Sequence, residues 1–283
     1  MESIGEIFVV IPVHNRVNFT RNCLESLEKQ TFKHFNIIVV DDGSTDGTSE
    51  MLRVHFPDVK VVKGDGNLWW TGGINLGIEK ALELGADYVF TLNDDTIAPS
   101  NLIEEMVKHA QRKPSAIFGA LEVDMETKRP LYAGHSPNWL WDNAVQLLDK
   151  IPHDNLKGIQ QISFFHGRGL WIPKEVFLKI GLFDQKRFPH YLADFDFVYN
   201  AYKEGFEVFC NLDAVIYSFP EACGSYMNKE QKSLGNYYNH LFSMSGGGNL
   251  TDFTRFTFKN CPPYAIPTRL VMGYLRRIFG YWV

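Results

Sequence analysis

The chain has 283 residues, of which 45% are hydrophobic and 22% are charged, an ordinary globular composition with enough residues for one large α/β domain. Its net charge of −5 gives no support to a nucleic-acid partner, because proteins that bind nucleic acid usually carry a basic face. Aromatic residues reach 14%; many of them belong to the core, and some are expected to line a site that stacks flat rings or sugars.

The first 95 residues predict alternating strands and helices. Apolar, β-branched runs indicate buried parallel strands, and apolar residues three and four apart indicate helices. The predicted strands are residues 7–12, 37–40, 59–62 and 88–92. The predicted helices between them are residues 19–30, 48–56 and 72–84. This β-α-β-α-β-α-β order predicts a doubly wound, mostly parallel sheet.

The second half of the chain is less regular. Its predicted helices are residues 101–112, 173–180 and 193–204. Its predicted strands are residues 116–123, 207–211 and 214–217, and residues 162–165 and 169–172 are predicted to be extended. Residues 132–148 show weak periodicity, and Ser245-Gly-Gly-Gly248 is the one segment whose composition predicts flexibility.

Four loops of the first half are expected to meet at one edge of the sheet. In a doubly wound sheet the ligand binds outside the carboxyl ends of the strands. The loops at that edge are residues 12–16, 41–46, 64–70 and 93–96. Their convergence is the strongest argument from the residues themselves for a binding site.

Two adjacent carboxylates, Asp94 and Asp95, follow the predicted strand 88–92. A polar turn is the alternative interpretation, because Asn-Asp-Asp-Thr is also good turn chemistry. Two adjacent buried acids raise each other's pKa unless a cation or a hydrogen-bond donor compensates. Magnesium or manganese, bound by one or two carboxylates and by diphosphate oxygens, would resolve that conflict. We therefore expect a divalent cation, Mg²⁺ or Mn²⁺, at this strand end.

A second acid-rich loop, residues 41–48, follows the strand 37–40. A carboxylate there can accept hydrogen bonds from a nucleoside base or a ribose hydroxyl, and two glycines let the backbone come close. Asp46 also suits the cap of the next helix. We assign Asp46 to that cap and Asp42 to the nucleotide site.

A third acid segment contains Asp194 and Asp196 at the start of the predicted helix 193–204. The helix dipole favours negative charge there, which is sufficient to explain either acid. Asp194 is also a candidate general base, because a transferase that activates a hydroxyl needs one carboxylate near the reacting carbon.

The glycine-rich segment 66–77 matches neither the P-loop nor the dinucleotide fingerprint. It contains the adjacent Trp69 and Trp70, of which at most one is expected in the core if the segment is extended, so that the other can stack on a ring. The run His166-Gly-Arg-Gly169 indicates either a close approach of substrate to the backbone or a plain tight turn.

Taken in order, these segments resemble the family-2 inverting glycosyltransferases of the GT-A fold, from about residue 7 to residue 217. Each motif is weak alone, and the ordered set is specific. The motifs are Ile11-Pro-Val-His-Asn-Arg16, Val40-Asp-Asp-Gly-Ser-Thr-Asp46, Asn75-Leu-Gly77, Asn93-Asp-Asp95, Gly181-Leu-Phe-Asp184 and Ala193-Asp-Phe-Asp196. The Gly-Gly-Ile-Asn-Leu-Gly run is similar to that of the bacterial rhamnosyltransferase-type branch.

The resemblance implies transfer of a sugar from a dTDP- or UDP-sugar to a hydroxyl of a glycan or lipid-linked acceptor, in bacterial cell-surface polysaccharide synthesis. It implies that Asp95 ligates the metal and that Asp194 is the catalytic base. Pro12 and Asp42 would flank the nucleoside, and Asp94 would contact sugar or ribose. The residues assigned to the nucleotide-sugar site are Pro12, Asn15, Asp42, Asn67, Trp70 and Asp94.

Three positions depart from the family pattern. Ile74 stands where many members carry Arg, Ala193 where many carry a second acid, and Ser218 where many carry a metal-binding His. A glycan- or nucleotide-binding protein without activity, of the same fold, is therefore one alternative. A nucleotidyltransferase is another, although the first 100 residues lack a basic glycine-rich loop for a triphosphate.

We expect one GT-A domain over residues 1–245, with a nucleotide-sugar half at 1–100 and an acceptor half at 101–245. Residues 246–283 form a C-terminal tail. Its segment 269–283 combines three arginines with apolar and aromatic residues and has no acid, which is typical of a helix lying on a membrane surface. The alternative is a terminal helix docked on the core of the domain.

The cysteines and the N-terminus favour a cytoplasmic protein. Cys23, Cys210, Cys223 and Cys261 are widely spaced and form no CxxC pair, which argues against a zinc site and against a disulfide framework. The first residues lack the basic and apolar regions of a signal peptide. No apolar run approaches the roughly 20 residues that span a bilayer, so any membrane contact would be peripheral.

Overall fold

The computed structural model describes residues 4–152, 155–219 and 232–282. Its first half alternates strands and helices as the sequence predicts. The strands are β1 (Ile7–Val13), β2 (Asn36–Asp41), β3 (Lys60–Lys63) and β4 (Tyr88–Thr91). The helices are α1 (Val17–Glu28), α2 (Thr48–His55) and α3 (Trp69–Glu83). The four strands lie in the order β3-β2-β1-β4, all parallel.

The second half extends the same sheet beyond β4 with antiparallel and parallel strands. Its elements are β5 (Thr96–Ile97), α4 (Leu102–Arg112), β6 (Ile117–Asp124), β7 (Pro130–Tyr132), β8 (His135–Asn138), β9 (Asn143–Gln146), β10 (Ile159–Gln161), β11 (Leu170–Pro173), α5 (Lys174–Ile180), α6 (Ala193–Lys203) and β12 (Val208–Ser218). In the described residues the main path of the large sheet is β10-β12-β6-β11-β4-β1-β2-β3, and β8 and β9 form a separate hairpin.

Helices cover both faces of the sheet, and this explains why β1 is apolar throughout. Its odd-numbered residues, Ile7, Val9 and Ile11, belong to one core cluster. Its even-numbered residues, Phe8 and Val10, belong to the other. Each fully buried side chain of this size contributes roughly 1.5–3 kcal/mol through burial. The α/β prediction is confirmed.

The run 162–165, predicted to be extended, does not form a regular strand. Within this run only Phe164 makes an isolated bridge, to His135, and the neighbouring strand is β10 instead. Ile162, Phe164 and Phe165 are nonetheless buried. The ring of Phe165 lies against Gly119 of β6, where a Cβ atom would overlap it. The run is apolar because a loop inserts it into the core, and not because it joins the sheet.

The two short strands predicted at 207–211 and 214–217 are one strand, β12, which runs parallel to β6. The register shifts between Asn211 and Val215, so β12 contains a bulge. The side-chain amide of Asn211 donates a hydrogen bond to the carbonyl oxygen of Glu105 at this point. The polar Asn-Leu-Asp run that predicted a break is therefore the bulge.

Among the described residues after the sheet, the α-helices are α7 (Leu234–Phe242), α8 (Leu250–Asn260) and α9 (Ile266–Phe279). The glycine run predicted to be flexible, Ser245 to Gly248, forms the turn between α7 and α8, where the amide of Gly248 donates to the carbonyl oxygen of His240. Within the part of the chain that the structure describes, no helix is both long enough and apolar enough to cross a bilayer. Cys23, Cys210 and Cys261 are free and buried, and Cys223 lies outside the described residues.

Candidate active site

A cavity of about 1090 Å³, called the cleft below, opens at the carboxyl edge of the parallel strands. The four loops predicted to meet there all contribute to its lining. Those lining residues are Pro12, Val13, His14, Arg16, Asp42, Gly66, Trp69, Trp70, Asn93, Asp94 and Asp95. The opposite wall comes from residues 166–168, from the start of α6 and from the C-terminal helices.

The Asp42 carboxylate organises the loop between β3 and α3. Its Oδ1 accepts a hydrogen bond of 2.7 Å from the amide of Gly66, and its Oδ2 accepts one of 2.9 Å from the amide of Leu68. A Cβ atom at Gly64 would overlap this carboxylate, so a glycine is needed for the close approach. Asp42 therefore lines the cleft with both oxygens already engaged by backbone amides.

Asp46 caps the start of two helices, as the sequence predicts for α2. Its Oδ1 accepts from the amide of Thr48 at 3.1 Å, and its Oδ2 accepts from the amide of Val17, the first residue of α1, at 2.8 Å. Asn15 completes this link, because its Oδ1 accepts from the amide of Thr45 at 2.7 Å. The loops after β1 and β2 are thus fixed to each other at the edge of the cleft.

The acids Asp94 and Asp95 are both buried, and two arginines neutralise them. Arg16 places one nitrogen 3.2 Å from Asp94 Oδ1 and the other 3.3 Å from Asp95 Oδ2. Arg168 lies 3.3 Å from Asp95 Oδ1. The sequence predicted that a metal would compensate the negative charges of these two acids. Guanidinium groups from other loops supply part of that compensation.

Burial raises the pKa of Asp94 to about 7, an effect that the charge of Arg16 opposes and the charge of Asp95 reinforces. The Thr20 hydroxyl, at 3.4 Å, also faces this carboxylate. Asp94 therefore changes its protonation near neutral pH, and its charge responds to whatever cation or anion enters the cleft.

The loop 166–169 connects the two ends of the cleft. Arg168 donates to Glu122 Oε1 at 2.6 Å as well as pairing with Asp95, and His166 lies 2.8 Å from Glu122 Oε2. Although burial raises the pKa of Glu122, the hydrogen bond and charge of His166 and the charge of Arg168 outweigh it and hold that pKa well below its usual range. Glu122 is thus a fixed anion that orients both side chains.

Ser218, which stands where the family pattern has a metal-binding His, donates a 2.5 Å hydrogen bond to Glu122 Oε1 and is fully buried. It stabilises the anion that holds Arg168. Ile74, where the family pattern has Arg, is fully buried in the core. The cations that pair with Asp94 and Asp95 therefore come from Arg16 and Arg168 instead of from α3.

Asp194 lies in the first turn of α6 and lines the cleft. Its Oδ2 accepts a 2.9 Å hydrogen bond from the amide of Gly167, and its Oδ1 accepts one from the amide of Phe195. Burial raises the pKa of Asp194 despite these hydrogen bonds. Leu192, the residue that precedes the helix, has a positive φ of 69°, a backbone strain of the kind found at functional sites.

Asp196, two residues further on, has a different role. Its carboxylate accepts 2.7 Å hydrogen bonds from Lys259 and from Asn260, both on α8. It does not line the cleft. Of the two acids that the helix dipole alone cannot distinguish, only Asp194 faces the site.

Trp69 and Trp70 open α3, and both line the cleft. Trp70 donates from Nε1 to Asn93 Oδ1 at 2.9 Å and packs over Gly167, where a Cβ atom would overlap its ring. Trp69 is 43% exposed and has a positive φ of 56°. The exposed ring that is available for stacking is therefore Trp69.

The cleft brings together most of the predicted site residues. Pro12, Asp42, Trp70, Asp94, Asp95 and Asp194 line it. Asn15 and Asn67 do not, and both are exposed at its rim. Sequence reasoning assigned no role to Arg16, Arg168, His166 or Glu122. The signal that could have revealed the arginines was the uncompensated charge of Asp94 and Asp95, which requires a cation from elsewhere in the chain.

The residues present fit a divalent cation that takes most of its ligands from a substrate. Among the described residues, no group of three or more His, Cys, Asp or Glu side chains is arranged to hold a metal. Asp95 Oδ1 is buried and accepts no hydrogen bond of good geometry there, although Arg168 lies 3.3 Å from it as an ion-pair partner. Magnesium or manganese bound by one or two carboxylates plus diphosphate oxygens needs no larger protein cage.

The sequence of residues 8–181 matches the family model described as glycosyl transferase family 2. The matched segment covers more than half of the chain and ends before Asp194. The chain belongs to this family.

Comparison with individual proteins agrees. An uncharacterized glycosyltransferase of Rickettsia felis is 27% identical over 183 residues, which are 63% of this chain and 29% of that protein. The crystal structure of S. aureus TarS 1–349 in complex with UDP has a TM-score of 0.62 at 14% identity, covering 98% of this chain and 89% of that one.

The crystal structure of GalNAc-T7 with UDP, GalNAc and Mn²⁺ has a TM-score of 0.63 at 14% identity, covering 99% of this chain and 57% of that one. These similarities confirm the GT-A fold. They do not test the similarity to the rhamnosyltransferase-type branch, which stays a prediction.

Proposed function

We propose that the chain is an inverting glycosyltransferase that moves a sugar from a nucleoside-diphosphate donor, a dTDP- or UDP-sugar, to a hydroxyl of a glycan or lipid-linked acceptor in bacterial cell-surface polysaccharide synthesis. One observation carries the proposal. The loop 166–169 holds the Asp194 carboxylate through Gly167 and the Asp95 carboxylate through Arg168. The proposed base and the two arginines that would hold a diphosphate therefore face the same cleft.

In this mechanism Asp194 removes the proton of the acceptor hydroxyl, and the oxygen attacks the anomeric carbon of the donor. The bond between that carbon and the diphosphate oxygen breaks, and the diphosphate leaves with the electron pair. A single displacement from the opposite face inverts the configuration. The raised pKa of Asp194 suits this role, because a general base works best when its pKa approaches the operating pH.

Arg16 and Arg168 stabilise the negative charge that develops on the leaving diphosphate. They lie beside Asp94 and Asp95, and preorganised charges in a water-poor cleft are effective at such a task. A divalent cation at Asp95 would add Lewis-acid stabilisation of the same charge. The UDP in the TarS structure, and the UDP and Mn²⁺ in the GalNAc-T7 structure, support these two expectations.

The two halves of the domain would bind different substrates. Residues 1–100 would hold the nucleotide sugar, and residues 101–245, together with the tail 246–283, would hold the acceptor. Asp42 and the exposed ring of Trp69 line the cleft and belong to the half of the chain that would hold the donor. We propose that the Trp69 ring stacks on the base or sugar, because base–aromatic stacking contributes about 1–3 kcal/mol, and that Trp70 lines the same site.

A binding screen followed by a turnover assay tests the proposal. The melting temperature is measured with UDP, dTDP, GDP and CMP, each with and without manganese, because a nucleotide that binds only the folded state raises it. We expect a rise with UDP or dTDP, and hydrolysis of the corresponding nucleotide sugars by the wild-type chain. Asp194→Asn is the matched control, in which the rise is retained and hydrolysis is lost. A rise without hydrolysis by the wild type would favour a binding protein, and no rise with any of the four would contradict the proposal.

A further inference from the structure

A second cavity, of about 610 Å³, lies next to the cleft and is called the arginine pocket below. Helices α8 and α9, the β8–β9 hairpin and the start of α6 form its walls. It shares lining residues with the cleft, among them Leu192, Phe195 and Arg277. Because Phe195 directly follows Asp194, the pocket adjoins the side of the cleft that holds the proposed base.

The lining of this pocket is strongly basic. Arg269, Arg276, Arg277 and Lys232 all contribute, and among the described residues that line it Asp142 is the only acid. Four cations against one carboxylate are unexpected in a chain whose net charge is −5. Such a local excess requires an explanation that the overall composition does not provide.

Asp142 forms ion pairs with two of the three arginines, although its single negative charge can neutralise only one of them. Its Oδ1 lies 3.1 Å from Arg269, and its Oδ2 lies 2.9 Å from Arg277. Arg276 instead donates to the backbone carbonyl oxygens of Trp141 and Asp142, and Lys232 donates to the carbonyl oxygen of Trp282. Backbone carbonyls carry no net charge, so among the described residues that line the pocket the positive charges exceed the negative ones by three.

The positive charges of the arginines in the pocket affect one another's pKa. Burial lowers the pKa of Arg269, and the neighbouring charges of Arg277 and Arg276 lower it further against the effect of Asp142. The hydroxyl of Tyr281, a 7% exposed residue that lines both cavities, has no hydrogen-bond partner among the described residues. Neighbouring cations that repel one another, of which Arg269 is buried, and an unsatisfied donor are both stabilised when an anion binds beside them.

We propose that the arginine pocket binds a phosphate or diphosphate group carried by the acceptor. The identification of the carrier of this group as the acceptor rests on the proposed function, whereas the binding of a phosphate or diphosphate group does not. A guanidinium group donates two parallel hydrogen bonds to phosphate oxygens, and the negative charge of a phosphate or diphosphate group opposes the excess of positive charge in the pocket. The donor diphosphate has its own cations, Arg16 and Arg168, in the cleft.

Calorimetric titration of the full chain with inorganic pyrophosphate tests the inference. Pyrophosphate should bind the wild type at two sites, and the variants distinguish them. Arg168→Gln should weaken the site in the cleft and leave the second intact. Arg276→Gln should weaken the second site by about tenfold or more, because it removes a charge-assisted hydrogen bond, and leave the first intact. Arg53→Gln, which removes an exposed arginine on α2, should change neither.

Lys232→Gln keeps the test decisive if Arg276→Gln does not fold, because Lys232 is exposed. We expect it to lose about threefold of the affinity at the same site.

Comparing farnesyl diphosphate with pyrophosphate identifies the source of the group. Tighter binding of the prenyl compound indicates a lipid-linked acceptor, and equal binding indicates a phosphorylated glycan. Binding that Arg276→Gln and Lys232→Gln leave unchanged, or a single site lost in Arg168→Gln, would overturn the inference. None of these titrations depends on turnover of the donor, so a failure of this inference can be distinguished from a failure of the proposed function.

Discussion

The backbone amide of Gly167 donates a 2.9 Å hydrogen bond to Oδ2 of Asp194, across 27 residues of sequence. The next residue, Arg168, reaches Asp95 and Glu122, and the preceding one, His166, reaches Glu122 as well. A single loop therefore fixes the proposed base relative to the proposed diphosphate site. Because the loop carries both contacts, a small displacement of its backbone changes both ends of the site together.

The first prediction concerns the base itself. Asp194→Asn keeps the shape of the side chain and removes its basicity, so we expect sugar transfer to fall by about 100-fold or more while donor binding persists. The measurements are the rate of transfer and the nucleotide-induced rise in melting temperature. Asp196→Asn is the matched control, because Asp196 binds Lys259 and Asn260 outside the cleft; it should lower the melting temperature and leave the chemical step intact. Normal transfer by Asp194→Asn, together with loss of transfer by Asp196→Asn, would show that the base is Asp196 and not Asp194.

The second prediction concerns the position of the loop. A methyl group at Gly167 would overlap the ring of Trp70, which is held in place by its hydrogen bond to Asn93. Gly167→Ala should therefore displace the loop, destabilise the fold by about 1–3 kcal/mol and lower transfer at the same time. Denaturant unfolding and the transfer rate measure the two effects. Combining Gly167→Ala with Trp70→Phe, which shortens the ring, should restore part of both; no recovery in the double variant would contradict the steric explanation.

Sequence patterns predicted which acids meet at the edge of the sheet, because these acids follow strands whose apolar runs are easily recognised. Four apolar runs place Asp42, Asp94 and Asp95 at one sheet edge without any knowledge of tertiary contacts. The arginines are different: Arg16 meets Asp95 across 79 residues and Arg168 meets it across 73, and no local pattern encodes such a pairing. The run 162–165 is limited in a related way, since an apolar run predicts burial but does not say whether the residues form a regular strand.

The third prediction concerns metal dependence. Asp95→Ala should abolish the extra stabilisation that manganese gives to the nucleotide complex, because Asp95 Oδ1 is the buried oxygen that accepts no hydrogen bond among the described residues. Melting temperatures with nucleotide, with and without manganese, measure this effect. Asp58→Ala, which removes an exposed acid, should respond to manganese as the wild type does. An unchanged manganese response in Asp95→Ala would leave Arg16 and Arg168 as the cations that hold the diphosphate.

The fourth prediction concerns pH. The pKa of Asp94 rises from 3.8 to about 7, chiefly through burial, so between these values the folded chain holds a proton at Asp94 that the unfolded chain releases. The stability that this group contributes is therefore complete below pH 3.8 and is lost as the pH rises through about 7. Asp94→Asn cannot titrate, so its melting temperature should change less than that of the wild type across this window. Asp58→Asn is the exposed control, and equal pH profiles for Asp94→Asn and the wild type would contradict the assignment.

The last prediction concerns the membrane, and the structure changes how it must be tested. Helix α9 turns Arg269 and Arg277 inward onto Asp142, whereas Val271, Leu275 and Phe279 are 58%, 46% and 61% exposed on its outer face. Removing the whole segment after Thr268 would leave the buried Asp142 without its cations and would destabilise the chain for that reason alone.

Glutamate substitutions on the outer face avoid this difficulty. We expect the full chain to float with anionic vesicles and the double variant Leu275→Glu, Phe279→Glu to lose more than about tenfold of that binding, since each apolar side chain contributes roughly 1.5–3 kcal/mol when buried. Leu178→Glu, on α5, places a charge at an exposed leucine of another helix and should float as the wild type does. If the double variant floats like the wild type, or if the wild type does not float, α9 is a docked terminal helix whose apolar outer face has no role at a membrane.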